Sequence, residues 1–325
     1  MATQLNVVFM GTPEFAAVSL RHLLNRPNTN VLAVYTQPDR PQGRGRNMMP
    51  SPVKRVAQEA KLTVCQPTTL SSRDVDHQLR CLKPDFLLVA AYGLILPRKI
   101  LDIPRYGVLN VHASILPKYR GAAPIQRALA NGESVTGISI MAMEPGLDCG
   151  PLLLQHVLPI APDDTASSLH DKLAELGGKC LIKALNRFES HDCVFVPQQE
   201  DLASYAPKLH KEEGRIEWNL PAARVHDHIR AMHPWPGAFT YLERPSVAVP
   251  LKITVFPGCI GPELEEPIAP GTITAGPEDT LYIACADRYY QIFQLKPSSR
   301  KPMSTAGFCC GYLPARSENG WGKFG

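Results

Sequence analysis

Short apolar runs alternating with helical patterns dominate the first half of the chain. Leu5–Met10, Val31–Gln37, Leu62–Gln66, Asp85–Ala91, Gly107–His112 and Gly137–Met143 each read as a strand. Between the first two, the stretch from Pro13 to Asn25 carries Phe15, Val18, Leu20 and Leu23 at mixed short spacings, with Pro13 where a helix start tolerates proline. Strands alternating with helices predict a mostly parallel sheet joined by crossover helices. Leu152–Leu158, bounded by Pro151 and Pro159, reads as a further strand. Asp163-Asp164-Thr165 then supplies N-cap chemistry for a helix to about Arg187, with Leu169, Leu173, Leu176 and Cys180 on one face and a kink expected at Gly177-Gly178.

After Phe188 the pattern loosens. We read residues 1–189 as one domain, 190–208 as a linker and 209–325 as a second domain. The second opens with a helical stretch, Pro221–Met232. Short β-rich runs follow: Ala238–Leu242, Val247–Phe256, Gly271–Ala275, Thr280–Ala286 and Tyr289–Leu295. Turns rich in Pro and Gly separate them, as in a small antiparallel barrel.

Composition narrows the function without naming it. Of 325 residues, 44% are hydrophobic and 20% charged, which suits a soluble two-domain protein. No apolar run is long enough to span a bilayer, so no membrane association and a cytoplasmic location are expected. Nine scattered cysteines show no metal-ligand spacing, so reduced thiols and no metal are expected. Gly11 marks a strand-to-helix turn, but G-x-G-x-x-G is absent, which removes the nicotinamide-dinucleotide fingerprint. Charge is uneven. From residue 37 to 55, Arg40, Arg44, Arg46, Lys54 and Arg55 stand against Asp39 alone, a surplus equal to the whole chain's +4. Contacts with a polyanion should therefore be local.

The sharpest chemistry lies in Asn110-Val-His112-Ala-Ser114-Ile-Leu-Pro117 and Gly146-Leu-Asp148-Cys-Gly150. Side chains two apart on a strand share a face, so Asn110 and His112 emerge together. An amide donor, an imidazole and a carboxylate on a Gly-rich loop can stabilise an oxyanion and move a proton. No obvious nucleophile stands among them, which points to acyl transfer between two bound substrates. The plainer reading, an Asn and a His satisfying core or turn hydrogen bonds, stays open at this point.

Phe9-Met-Gly11-Thr-Pro13-Glu-Phe15, Gln37-Pro-Asp39-Arg-Pro41 through Gly45, Ala91-Tyr-Gly93-Leu-Ile-Leu-Pro97, the run from Asn110 to Gln126 and Gly146-Leu-Asp148 together resemble the methionyl-tRNA formyltransferases. Lys208-Leu-His-Lys211-Glu-Glu-Gly-Arg215-Ile-Glu-Trp218 and His233-Pro-Trp235-Pro continue the resemblance to about residue 305. It implies a Rossmann-like α/β domain with a mostly parallel sheet, then a smaller OB-like β-barrel that binds tRNA. It also implies transfer of a formyl group from 10-formyltetrahydrofolate to initiator methionyl-tRNA, by a monomer, with Asn110, His112 and Asp148 catalytic. By the same resemblance Tyr92, Gly93, Ser114, Ile115, Leu116 and Pro117 line the folate site. Arg40, Arg44 and Arg46, in a loop that composition alone reads as solvated surface, meet the tRNA together with Lys208, Lys211 and Arg215. Another folate-dependent formyltransferase, acting on a glycinamide ribonucleotide or an amino-sugar nucleotide, would share the catalytic set. A nucleic-acid-binding module without catalysis would not need it. Cys149 departs from the usual Thr, and the Gly-rich stretch 306–325 does not match the usual tail, so no role is carried onto it.

Overall fold

The computed structural model describes residues 4–42, 47–244, 247–278, 280–313 and 323–325. Two compact units divide the chain. One holds residues 1–124, 135–159 and 170–206, the other residues 125–134, 160–169 and 207–325.

The first unit is built on seven strands: β1 (Leu5–Gly11), β2 (Thr29–Tyr35), β3 (Val64–Cys65), β4 (Phe86–Ala90), β5 (Gly107–His112), β6 (Val135–Ala142) and β7 (Leu152–Pro159). Their spatial order is β7-β6-β5-β4-β1-β2-β3. β1 to β5 run parallel, β6 lies antiparallel to β5, and β7 antiparallel to β6. Every residue of β4 is buried, and only Asn6 of β1 is not. Such apolar continuity belongs to strands covered on both faces. The cover comes from helices including Glu14–Leu24, Pro52–Glu59 and Arg73–Leu82.

Strand order reverses at β1. The chain steps outward through β2 and β3, then returns to place β4 on the other side of β1. Open α/β sheets bind ligands in the crevice outside the carboxyl ends of strands at such a reversal. The loops there are tied together: the Thr12 hydroxyl, just past β1, donates to the Tyr92 carbonyl, just past β4, at 2.9 Å.

The helix Ala166–Glu189 is continuous through Gly177-Gly178. These glycines serve packing: a Cβ at Gly177 would stand 3.0 Å from Val111 Cγ1 on β5, and one at Gly178 would stand 2.3 Å from the His22 ring. Residues 190–206, read as linker, lie in the first unit. Val196 bridges to Leu152, and Tyr205–Ala206 pairs in parallel with Arg120–Gly121. Most of its side chains stay exposed and its contacts are backbone and polar hydrogen bonds, so it leaves no apolar period to read.

The second unit carries the helix Ala222–Met232 and two four-stranded antiparallel sheets, the β domain expected from the turn-rich runs. In order, one sheet contains Phe239–Arg244, Val247–Val255, Gln294–Pro297 and Met303–Ser304. The other contains Cys259–Glu263, Arg288–Ile292, Leu281–Ala284 and Ile273–Ala275. The run read as one strand, Tyr289–Leu295, is thus divided between the sheets. Beyond Ser304, whose hydroxyl caps the helix Thr305–Tyr312, Phe324 is buried and stacks on Trp218 at 6.2 Å between ring centroids. Among the described residues, no helix is long and apolar enough to cross a membrane.

Candidate active site

β5 alternates as its sequence implies. Leu109 and Val111 pack on one side, and Asn110 and His112 occupy the other, at 8% and 5% exposure. Both nitrogens of the imidazole face acceptors. Nε2 lies 2.9 Å from the Tyr119 carbonyl oxygen, and Nδ1 lies 3.6 Å from Asp148 Oδ2. A carbonyl only accepts, so Nε2 carries the hydrogen donated to Tyr119, while Nδ1 stands beyond hydrogen-bond range of Asp148. Among the described residues the Asn110 carboxamide makes no hydrogen bond. A carboxamide held nearly buried yet uncommitted leaves a donor available, which weighs against the plain core-satisfaction reading.

Asp148 reaches this strand from the loop after β6. Its φ of +50° lies in the left-handed region, which Asp tolerates better than most residues. Its Oδ2 accepts the Gly121 amide at 2.8 Å, so one carboxylate oxygen faces both His112 and the backbone. The Gln198 side chain donates to the carbonyls of Asp148 and Gly150 at 2.9 and 2.7 Å. Sequence reading does not single out Gln198, because it lies in the stretch taken for linker. Beside it, Arg120 is 2% exposed and paired with Glu200, whose carboxyl its guanidinium holds below the usual carboxylate range.

A cavity of about 420 Å³ opens against the same strand. Its walls include Gly107 to Leu109 of β5, Ala142 to Pro145 leading into the Asp148 loop, and Arg98 and Leu101. That volume falls within the range of small-molecule pockets, roughly 300–1,000 Å³. Sequence reading misses this wall. The available signal is position, since Met143-Glu144-Pro145 immediately precedes Gly146-Leu-Asp148.

The residues expected at a folate site divide. Tyr92 is 2% exposed in the core beside Tyr35, Val89 and Leu96, and burial pushes its phenol up, so its ring belongs to the core. Gly93, exposed with φ +86°, offers backbone beside that core. Ser114 is fully buried, and its hydroxyl donates to the Lys118 carbonyl at 2.6 Å. The Leu116 amide donates to Ser139 Oγ, and the Leu116 carbonyl accepts from Gln155. Ile115 is half-buried, and Pro117 follows a cis peptide bond. This turn therefore acts as a wall behind His112, with its inner polar groups already engaged.

Of the expected basic residues, Arg44 and Arg46 lie outside the described residues. Arg40 is exposed where Arg40–Gln42 pairs with Asn47–Met49, and its guanidinium donates to Gln37 Oε1. Lys54 is not free to meet a polyanion. It bonds Asp39 at 2.6 Å, and this contact, together with one from Gln66, holds the Asp39 carboxyl below its ordinary range. In the second unit Lys208, Lys211 and Arg215 are exposed, while nearby Glu213 is occupied by Arg127 at 2.6 Å.

Comparison with known proteins finds relatives over nearly the whole chain. The family described as "Formyl transferase" matches residues 5–185, and "Formyl transferase, C-terminal domain" matches residues 208–313. A methionyl-tRNA formyltransferase of Nitratidesulfovibrio vulgaris is 49% identical over 309 residues, covering 95% of this chain and 93% of that protein. One of Marinobacter nauticus is 47% identical over 281 residues, covering 86% and 88%. Among solved structures, HypX from Aquifex aeolicus in complex with tetrahydrofolic acid shares the fold. Its TM-score is 0.61 at 17% identity, over 94% of this chain and 47% of that one.

Proposed function

The chain belongs to the methionyl-tRNA formyltransferase family, and on that premise we propose that it moves the formyl group of 10-formyltetrahydrofolate onto the α-amine of methionine carried by initiator tRNA. The observation that carries the chemistry is Asn110, His112 and Asp148 meeting at the end of β5, with the Asn110 amide uncommitted.

In this reading the amine attacks the formyl carbon and builds a tetrahedral oxyanion. Asn110 donates to that oxygen, and His112 joins it by turning its Nε2–H away from the Tyr119 carbonyl. Asp148 orients His112 and helps accept the proton the amine gives up. The new C–N bond replaces the bond from the formyl carbon to the donor nitrogen, which takes up a proton. The cavity along Gly107–Leu109 and Ala142–Pro145 has the size for the donor's ring system and adjoins the strand that presents Asn110. Weighing the aminoacyl product for one added formyl group tests the transfer itself.

The domains take separate jobs. The first binds the donor and performs the chemistry. The second, with Lys208, Lys211 and Arg215, holds the acceptor arm by its phosphates and positions it without reading sequence. Arg44, supported by Arg40 and Arg46, engages tRNA from the loop after β2. Arg44→Ala should weaken binding of initiator tRNA and flatten its dependence on log salt concentration by about one counterion. Donor binding should be unaffected. A fluorescence titration at several salt concentrations reads both quantities, and an unchanged slope with unchanged affinity would return the loop to plain surface.

A further inference from the structure

Asp148 sits in a loop whose neighbours Glu144 to Leu147 are exposed, yet its carboxylate must stay within reach of His112. Something outside the loop has to hold it. Gln198 is bonded on both ends of its amide. Its Nε2 donates to the carbonyls of Asp148 at 2.9 Å and Gly150 at 2.7 Å, which flank Cys149. Its Oε1 accepts from Arg120 Nε at 3.1 Å and Nη2 at 2.8 Å. An arginine offers only donors, so the oxygen must face Arg120 and the nitrogen must face the loop. The amide cannot flip without losing all four contacts.

Arg120 is itself fixed. It is 2% exposed, and Glu200 takes its two terminal nitrogens at 2.8 and 2.7 Å. A planar guanidinium held by two oxygens has little freedom left. The backbone of Arg120–Gly121 is anchored by pairing with Tyr205–Ala206. The next amide along, Gly121 N–H, is the one that bonds Asp148 Oδ2. A single two-residue segment thus grips Asp148 twice, through its carboxylate directly and through its backbone by way of Gln198.

Resting on the formyl-transfer reading above, we infer that Gln198, locked by the Arg120–Glu200 pair, is a positioning residue that sets the Asp148 carboxylate against His112. It touches no substrate. Its effect on rate comes through Asp148, where a displacement of about 1 Å is worth on the order of a hundredfold.

Two substitutions separate this role from simple packing. Gln198→Ala removes every contact of the amide. Gln198→Glu keeps the size and offers Arg120 an even better acceptor, but it has no donor for the two carbonyls. Both should lower kcat by roughly 10- to 100-fold with each KM within about threefold of the unmodified chain, because the lost interaction lies with the catalytic loop and not with bound substrate. Hydrogen exchange of the Gly121 amide should quicken in both. A Gln198→Glu chain turning over like the unmodified one would overturn the proposal, since it would show that only size and arginine pairing matter. So would an unchanged kcat with raised KM, or Gly121 exchange unaltered in both variants. Gln198 is only half-buried, so both variants should fold, and thermal melting checks this. If the unmodified chain forms no formyl-methionyl-tRNA, the functional reading fails by itself, and the exchange measurement still decides whether the clamp exists.

Discussion

His112→Ala should lower turnover by at least about a hundredfold while leaving donor binding in place. The imidazole is the only described side chain that spans the Tyr119 carbonyl and the Asp148 carboxylate, at 2.9 and 3.6 Å. Alanine leaves the Tyr119 carbonyl unanswered and removes a donor from the position where oxyanion charge develops. Asn110→Ala and Asp148→Ala should each produce losses of comparable order. Combining any two should add little, because the three act on one transition state and such losses are not additive. Single-turnover rates at saturating donor separate this from weakened binding. Stabilisation by a folate ligand provides the control for an intact site, since a ligand bound only to the folded state raises the melting temperature. Near-normal turnover in His112→Ala would remove the imidazole from the mechanism.

Gly150→Ala should be the most damaging one-carbon change near the site. A Cβ there would stand 1.9 Å from the Ala142 carbonyl oxygen and 3.0 Å from its carbon, both backbone atoms at the end of β6. Neither can swing aside as a flexible side chain would. Either the strand end or the Asp148 loop must move, at a cost of about 2–4 kcal/mol. The same shift withdraws the Gly150 carbonyl from Gln198, so activity should fall further than stability alone explains. Gly311→Ala is the matched control. Nothing lies within 4 Å of its added carbon, and it sits in the helix Thr305–Tyr312, so it should be neutral or slightly stabilising. Thermal melting and turnover of the two variants side by side check the contrast. Equal stability of both would show that the close approach at Gly150 is not rigid.

What the sequence makes legible follows from the range over which each signal acts. The alternation Leu109-Asn110-Val111-His112 is local, and by itself it puts both polar side chains on one face of a strand. The apolar runs of β1 and β4 likewise announce a sheet covered on both sides. Arg120 and Gln198 carry no such signal. They lie 78 residues apart, and their bond exists only because the segment 190–206 folds back along the first unit. Tyr92 is ambiguous for a different reason: an aromatic residue at a strand's carboxyl end suits ligand and core equally, and the fold puts its ring in the core. Phe324, the last aromatic in a Gly-rich stretch, has no periodic neighbours, and only the tertiary fold shows that it packs on Trp218.

Formyl transfer to the methionine of initiator tRNA can be measured directly. The chain is incubated with 10-formyltetrahydrofolate and an equal mixture of initiator and elongator methionyl-tRNA. The aminoacyl ends are then released and weighed by mass spectrometry. Formyl-methionine should appear on the initiator species, with the elongator species left largely unmodified and the product absent when His112→Ala replaces the unmodified chain. No formyl-methionine on either tRNA, with the donor shown to bind, would contradict the proposed function and shift the reading to a formyltransferase for a smaller amine.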